Sequence, residues 1–314
     1  MKTIVLNQFG DVENLQIKEL PIPSISEDEV LIKVKAISIN PVDIKTRKGE
    51  ALANKLKKHD PLVLGWDISG TIEKTGHQVT DFSVGEDVFG MVNFVGHGKA
   101  YAEYVAVPAS QIARKPSNIS HEEAAASTLA ALTAWQAFTE FGHLKAGDKV
   151  LIHAASGGVG HFAVQIAKYL KAYVIGTSSA QNKEFVLGLG ADEHVDYRKQ
   201  RFEDVLSEID FCLESIGGEN FERTVEVVRP FGTIINLPSG LSETAKEKSK
   251  RKNIKACFFM AVYSNGKDMN VIAHLLEKGI IKAHVSNSFA FEEMAEAHRQ
   301  IESGRTVGKV VISV

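Results

Sequence analysis

The sequence predicts an α/β protein in which a six-stranded, doubly wound parallel sheet follows a β-rich region. Three observations carry that expectation. Apolar runs beginning near Val150, Tyr173, Glu193, Ile209, Thr233 and Ala256 alternate with helical or loop segments, the rhythm of parallel strands joined by crossovers. The first run leads into a glycine turn and then an amphipathic segment. Residues 1–115, by contrast, hold short β-prone runs bounded by Pro, Gly and Asp, which suits strands joined by turns.

Taken in order, residues 30–37 and Tyr104-Val105-Ala106-Val107 read as strands, and Gly85-Glu86-Asp87-Val88 as a turn entering another. A short helix is expected after Asn40-Pro41, with proline at the first helical position. Ser120-His121-Glu122-Glu123 is a capping-box pattern and should open a helix running to about Phe141. Beyond the alternating region, helices are expected near residues 268–278 and 291–302, then a closing strand at 309–314. The basic run Lys246-Glu247-Lys248-Ser249-Lys250-Arg251-Lys252 reads as a solvated face rather than a nucleic-acid patch.

The most informative stretch is residues 149–171, KVLIHAASGGVGHFAVQIAKYLK. Val150-Leu151-Ile152 forms the strand. Gly157, Gly158 and Gly160 make the turn, with Ser156 and Val159 between them. Phe162, Val164, Ile166, Ala167 and Leu170 then recur at helical spacing. The pattern is A-x-x-G-x-x-G from Ala154 to Gly160, with Ala155 where the usual fingerprint has its first glycine. Strand, glycine turn and helix in this order let the backbone and a helix N-terminus approach a pyrophosphate.

In an NAD site an acidic residue near the end of the second strand binds the ribose hydroxyls. Here that strand, Tyr173-Val174-Ile175-Gly176-Thr177, is followed by Ser178, Ser179, Ala180, Gln181, Asn182 and Lys183, and no carboxylate appears until Glu184. Two hydroxyls and a lysine suit a 2′-phosphate, which a carboxylate would repel, so NADP(H) is the expected cofactor. Tyr197, after the third strand, is a further candidate at that end.

The 314 residues suffice for about two domains. Apolar and charged contents of 44% and 24%, with a net charge of −3, give no reason to expect nucleic acid or an anionic membrane as partner. Residues 1–6 run into Asn7 and Gln8 without a secretory pattern, and no apolar run of membrane-spanning length occurs. A cytoplasmic location is therefore expected. The two cysteines, Cys212 and Cys257, fall on the fourth and sixth predicted strands, roughly 9–10 Å apart. That exceeds disulfide reach, so both read as buried thiols.

Asn40-Pro41-Val42-Asp43, Val84-Gly85-Glu86-Asp87-Val88, Tyr101-Ala102-Glu103-Tyr104, Leu132-Thr133-Ala134, the glycine fingerprint and Gly308-Lys309-Val310-Val311 together resemble the medium-chain dehydrogenase/reductase superfamily over essentially the whole chain. The resemblance implies a GroES-like, β-rich catalytic domain built from residues 1–115 and 264–314, with a Rossmann NADP-binding domain at 116–263. A homodimer is also expected. Zinc-dependent members carry Cys or Asp in place of Asn40, a His-Glu pair in place of Trp66-Asp67, and a four-cysteine lobe near residues 90–110, where this chain has no cysteine. The nearer likeness is to the zinc-independent quinone oxidoreductase branch. Within it, Asn40-Pro41-Val42-Asp43-Ile44-Lys45-Thr46-Arg47 resembles the N-P-V-D-x-K-x-R segment of alkenal and enone reductases. A metal gathered by His59, Asp43 and Asp67 is not expected.

The implied reaction is hydride transfer to a quinone or an α,β-unsaturated carbonyl. Without zinc, another group must stabilise charge developing on the acceptor oxygen. Lys45 is the catalytic candidate, either at that oxygen or at the nicotinamide ribose; the competing reading is a solvated helix lysine. By resemblance Asn40 and Thr133 line the nicotinamide pocket, and Lys309 joins the cofactor-binding set. Trp66 and Tyr263 are candidates for an apolar substrate wall, or else core. A non-catalytic NADPH-binding sensor or structural protein of the same fold is the alternative, since fold alone does not imply turnover.

Overall fold

A computed structural model of the chain describes residues 1–238, 240–257 and 260–314, with the backbone alone at 256 and 257. Two compact units emerge, one of residues 1–132 and 263–314, the other of residues 133–262. Residues 116–132, grouped above with the nucleotide-binding segment, pack within the first unit.

That unit contains β1 (Lys2–Leu6), β2 (Leu15–Glu19), β3 (Glu29–Ile39), β4 (Asp67–Thr75), β5 (Asp87–Met91), β6 (Tyr104–Pro108) and β7 (Ala113–Arg114), and the returning strands β14 (Val285–Ala290) and β15 (Lys309–Ser313). β1 and β2 form a hairpin; the others form a seven-stranded sheet in the order β14-β15-β3-β4-β5-β7, with β6 also on β3. β3 is long enough to hold two partners on one edge: residues 29–33 pair with β6, and residues 36–39 with β15. Its inward positions, Val30, Ile32, Val34 and Ala36, are buried. Opposite Ile39 stands Val310, and opposite Ser38 stands Asp67. The ends of β15, β3 and β4 thereby bring Lys309, Asn40 and Asp67 together.

The unit's helices are α1 (Pro41–Arg47), α2 (Ala53–Leu56), α3 (His121–Ala126), α9 (Gly266–Glu277) and α10 (Met294–Glu302). α3 opens with the expected capping box: Glu123 N–H donates to Ser120 Oγ at 3.1 Å and Ser120 N–H to Glu123 Oε2 at 2.8 Å. The helix expected to continue to Phe141 is broken after Ala126. Ser127 Oγ and Thr128 Oγ1 donate back to the carbonyls of Glu123 and Ala125, the local competition that unsettles a helix. A separate helix, α4 (Leu129–Gln136), starts where Leu129 N–H meets the Asp67 carboxylate at 3.1 Å. It ends in a π-helical turn, Ala137–Phe141.

The second unit is the predicted doubly wound sheet. β8 (Lys149–Ile152), β9 (Tyr173–Ser178), β10 (Glu193–Asp196), β11 (Ile209–Glu214), β12 (Val228–Asn236) and β13 (Lys255–Cys257) lie in the order β10-β9-β8-β11-β12-β13. All neighbours are parallel. The order reverses between β8 and β11, which is where such sheets hold their ligand. Crossovers carry α5 (Gly160–Tyr169), α6 (Lys183–Gly188), α7 (Glu219–Val227) and α8 (Glu243–Arg251). The basic run lies on α8 and is paired outward, Lys248 with Glu222, Lys246 with Glu243 and Arg251 with Glu247. Cys212 is a buried free thiol; the Cys257 side chain lies outside the described residues.

A Cβ on Gly160 would fall 2.1 Å from Ala154 O and 2.8 Å from Ala155 Cα, both backbone atoms of the turn. Gly160→Ala should therefore cost about 1–3 kcal/mol, seen as a lower denaturant midpoint. An unchanged midpoint would mean that the turn yields freely.

Candidate cofactor and active site

In the β-rich unit Asn40 stands at the N-cap of α1, and its side chain bonds across to β4 and β15. Its amide Nδ2 donates to Asp67 Oδ2 at 2.7 Å, and its Oδ1 accepts from Lys309 Nζ at 2.5 Å. Lys309 also donates to Ile39 O at 3.0 Å and lies 4.0 Å from Asp67 Oδ2. Asn40 N–H is held by Asp43 Oδ2 at 2.7 Å. Asn40, Asp43, Asp67 and Lys309 are all buried. Lys309, placed by resemblance among the cofactor residues, thus has an ammonium directed into the protein.

Burial lowers the Lys309 pKa, against the pull of Asp67 and Asp43. Burial raises that of Asp67, while Lys309, Asn40, Thr128 and the Leu129 N–H favour its charge. Asp43 is pushed up to about 7 by burial, with the Asp67 charge adding to it and Asn40 N–H, Lys309 and Tyr101 opposing. The Tyr101 hydroxyl stands 3.0 Å from His298 Nε2, and burial holds that imidazole down at about 3.

Trp66 is fully buried, donates its indole N–H to Gly96 O at 2.9 Å and meets Phe94 edge-on; it is part of the unit's core. Tyr263 is exposed. Lys45 projects from α1 into solvent, and its side chain makes no hydrogen bond or ion pair among the described residues. Thr133 is buried on α4.

In the doubly wound unit the glycine turn sits between the ends of β8 and β9. Ala154 adopts a left-handed φ of 48°. Ala155 N–H donates to Thr177 O at 2.9 Å, and Gly157 N–H to Ala154 O at 2.8 Å. A Cβ on Gly157 would come within 3.2 Å of that same carbonyl. Val159 and Gly160 begin α5. Ser156 Oγ accepts from Asn182 Nδ2 at 3.0 Å, linking the turn to the segment after β9. Backbone this close and free of side chains suits a pyrophosphate.

Beneath the turn is a network that pattern reading missed. His153 lies 3.1 Å from Thr177 Oγ1 by Nδ1 and 3.0 Å from Thr224 Oγ1 by Nε2. Burial lowers its pKa and so favours the neutral ring. Glu214, buried at the end of β11, accepts from Ile216 N–H, Gly217 N–H, Asn220 Nδ2 and Thr224 Oγ1 at 2.7–3.0 Å. Its one sequence signal is an acid ending an apolar strand.

At the end of β9, Ser178 and Ser179 are buried while Lys183 and Tyr197 are exposed. Tyr197 N–H donates to Ser178 O at 3.3 Å. The Ser178 hydroxyl is committed, 2.7 Å from His194 Nε2 and 3.2 Å from Ser179 O. No hydrogen bond is made by the Ser179 hydroxyl or the Lys183 ammonium among the described residues, and no carboxylate lies on residues 178–183. That donor set fits a 2′-phosphate. No group of three or more His, Cys, Asp or Glu able to hold a metal occurs among the described residues.

Residues 26–117 match the alcohol dehydrogenase GroES-like domain, and residues 189–312 the zinc-binding dehydrogenase family. The chain is 34% identical to a 2-methylene-furan-3-one reductase of Solanum lycopersicum, over 99% of this chain and 79% of that protein. It is 33% identical, with the same coverage, to a chloroplastic NADPH-dependent alkenal/one oxidoreductase of Arabidopsis thaliana. A quinone oxidoreductase from Coxiella burnetii superposes with a TM-score of 0.94 at 34% identity, over 100% of this chain and 99% of that one.

Asp43 supplies a pH signature. Its folded pKa lies above its unfolded value of about 3.9, so its contribution to stability is full below that value and is lost as pH rises through about 7. Asp43→Asn should flatten the fall in unfolding free energy between pH 4 and 7.5, by up to roughly 4 kcal/mol. Parallel curves for the two proteins would show that Asp43 titrates normally.

Proposed function

The chain belongs to the medium-chain dehydrogenase/reductase superfamily, and on that premise we propose that it is a zinc-independent, NADPH-dependent reductase of quinones or α,β-unsaturated carbonyls. The observation carrying this is the cofactor edge of the parallel sheet: a bare glycine turn beside an uncommitted hydroxyl and ammonium, Ser179 and Lys183. The substrate class follows from relatives named for furanone, alkenal and quinone reduction.

In this reading the unit of residues 133–262 binds NADP(H), and the β-rich unit supplies the catalytic surface. The bound cofactor supplies the hydride. Lys45, uncommitted on α1, is the group available to stabilise the acceptor oxygen. Asn40, assigned to the nicotinamide pocket by resemblance, has its amide fixed by Asp67 and Lys309. Zinc independence is supported by what occupies the positions that bind metal in zinc-dependent members. Trp66 is core, and the Asn40 amide and Asp67 carboxylate are engaged by a buried ammonium.

Among the described residues no helix is long and apolar enough to cross a membrane. The reading places the protein in the cytoplasm, where a buried free thiol such as Cys212 persists reduced. It also includes a homodimer, supported by β13, whose outer edge is unpaired among the described residues. Light scattering on the purified protein should give twice the chain mass; a monomer at micromolar concentration would remove the dimer from the reading.

Turnover is tested by following NADPH oxidation with an enone, an enal and a quinone, with products identified. Saturated carbonyl product from the enone, without added metal, is expected. Lys45→Ala should slow single-turnover hydride transfer by about 10²–10³ while leaving NADPH affinity nearly intact. NADPH binding without turnover on any acceptor would favour a cofactor sensor, and unchanged rates in the variant would remove Lys45 from the mechanism.

A further inference from the structure

The Ser178 hydroxyl cannot serve a ligand directly as it stands: it is buried, and its two contacts are His194 Nε2 at 2.7 Å and Ser179 O at 3.2 Å. His194 reaches it because of the strand register. It lies on β10 opposite Gly176 of β9, and Ser178 stands two residues further along β9, so the two side chains meet diagonally across the strand pair. The same Ser179 carbonyl accepts Asn182 N–H at 2.9 Å, closing the short turn that carries the chain from Ser179 to Lys183. One hydroxyl proton cannot serve both contacts. With that proton on Ser179 O, the ring donates from Nε2 to Ser178 Oγ, and the order runs from imidazole to hydroxyl to carbonyl.

We propose that His194 is a positioning residue that determines cofactor specificity: through Ser178 it holds the Ser179–Ala180 peptide so that the Ser179 hydroxyl and Lys183 ammonium meet the 2′-phosphate of NADP(H). It rests on the assignment of NADP(H) to this edge of the sheet. Three features agree with it. Lys183 acts electrostatically on the His194 ring, so the two belong to one neighbourhood. Asp196, in register with Ser178 on β10, is the carboxylate of that neighbourhood, and its Oδ1 accepts Arg198 N–H at 3.1 Å, turning part of its charge away from the turn. The hydroxyl and ammonium left over, on Ser179 and Lys183, are those a phosphate needs.

The test is titration of the intact protein with NADPH and with NADH, followed by cofactor fluorescence, for the wild type, His194→Ala, His194→Gln and Lys183→Ala. His194→Ala should weaken NADPH about threefold to tenfold, the range of one lost hydrogen bond, and leave NADH within about twofold. His194→Gln, whose Nε2–H can donate to Ser178 Oγ in place of the ring, should recover most of the loss. Lys183→Ala should show the same selectivity for NADPH with a larger effect. Equal losses of both cofactors in His194→Ala, or no loss, would overturn the proposal. If the wild type itself bound NADPH no better than NADH, the cofactor assignment would fail first. A wild type that prefers NADPH beside an indifferent His194→Ala would sink the role of His194 alone.

Discussion

A lysine ammonium taken out of water must be matched where it stands, and in the β-rich unit that requirement falls on Lys309. Its partners come from elements remote in sequence: Ile39 and Asn40 at the end of β3, and Asp67 at the start of β4. Asp67 passes the constraint on, because its other oxygen receives Leu129 N–H and so starts α4. The last strand, the first helix and the helix leading out of the unit are thus tied to one buried charge. The cluster holds two carboxylates against one ammonium. The excess acid resides at Asp43, whose pKa of about 7 lets the set approach electrical balance near neutral pH.

The doubly wound unit meets the same need for satisfied polar groups without burying a cation. Glu214 spends its charge on four donors, two of them backbone N–H groups of the loop that follows β11. His153, neutral by burial, joins β9 to α7 through two threonine hydroxyls. These bonds stiffen the ends of three adjacent strands and leave the glycine turn above them uncovered. Rigidity below and bare backbone above are the two conditions under which a loop can bind an anion without reorganising.

Local patterns made much of this legible. The strand starts near Tyr173, Glu193 and Ile209, the proline-led α1 and the capping box at Ser120 each follow from a few neighbouring residues. The break after Ala126 was not legible, because apolar periodicity continues through it. What decides there is a pair of hydroxyls bonding backward and a carboxylate arriving from Asp67. Trp66 illustrates a second limit: an aromatic beside a site motif reads equally as pocket wall or core, and only the Gly96 carbonyl and Phe94 ring settle it as core. His194 illustrates a third, since its meaning depends on the pairing of β10 with β9 that brings it to Ser178, a fact of register that no single strand carries.

Three lysines of the candidate site show most directly why residue type underdetermines role. Lys309 is buried, and desolvation alone requires that its donors be matched by fixed acceptors; a group so held is scaffold. Lys45 and Lys183 lie in solvent with no partner among the described residues, so their charge costs the fold little and remains available to something that arrives. A surface ion pair would have been worth under about 1 kcal/mol to stability, so leaving them unpaired forfeits almost nothing. Ser178 and Ser179 divide on bonding instead, since both are buried. One hydroxyl is committed to His194 and the Ser179 carbonyl, while the other, a residue further on, makes no hydrogen bond among the described residues. Burial and prior bonding, more than chemical identity, divide the groups that build structure from those free to act.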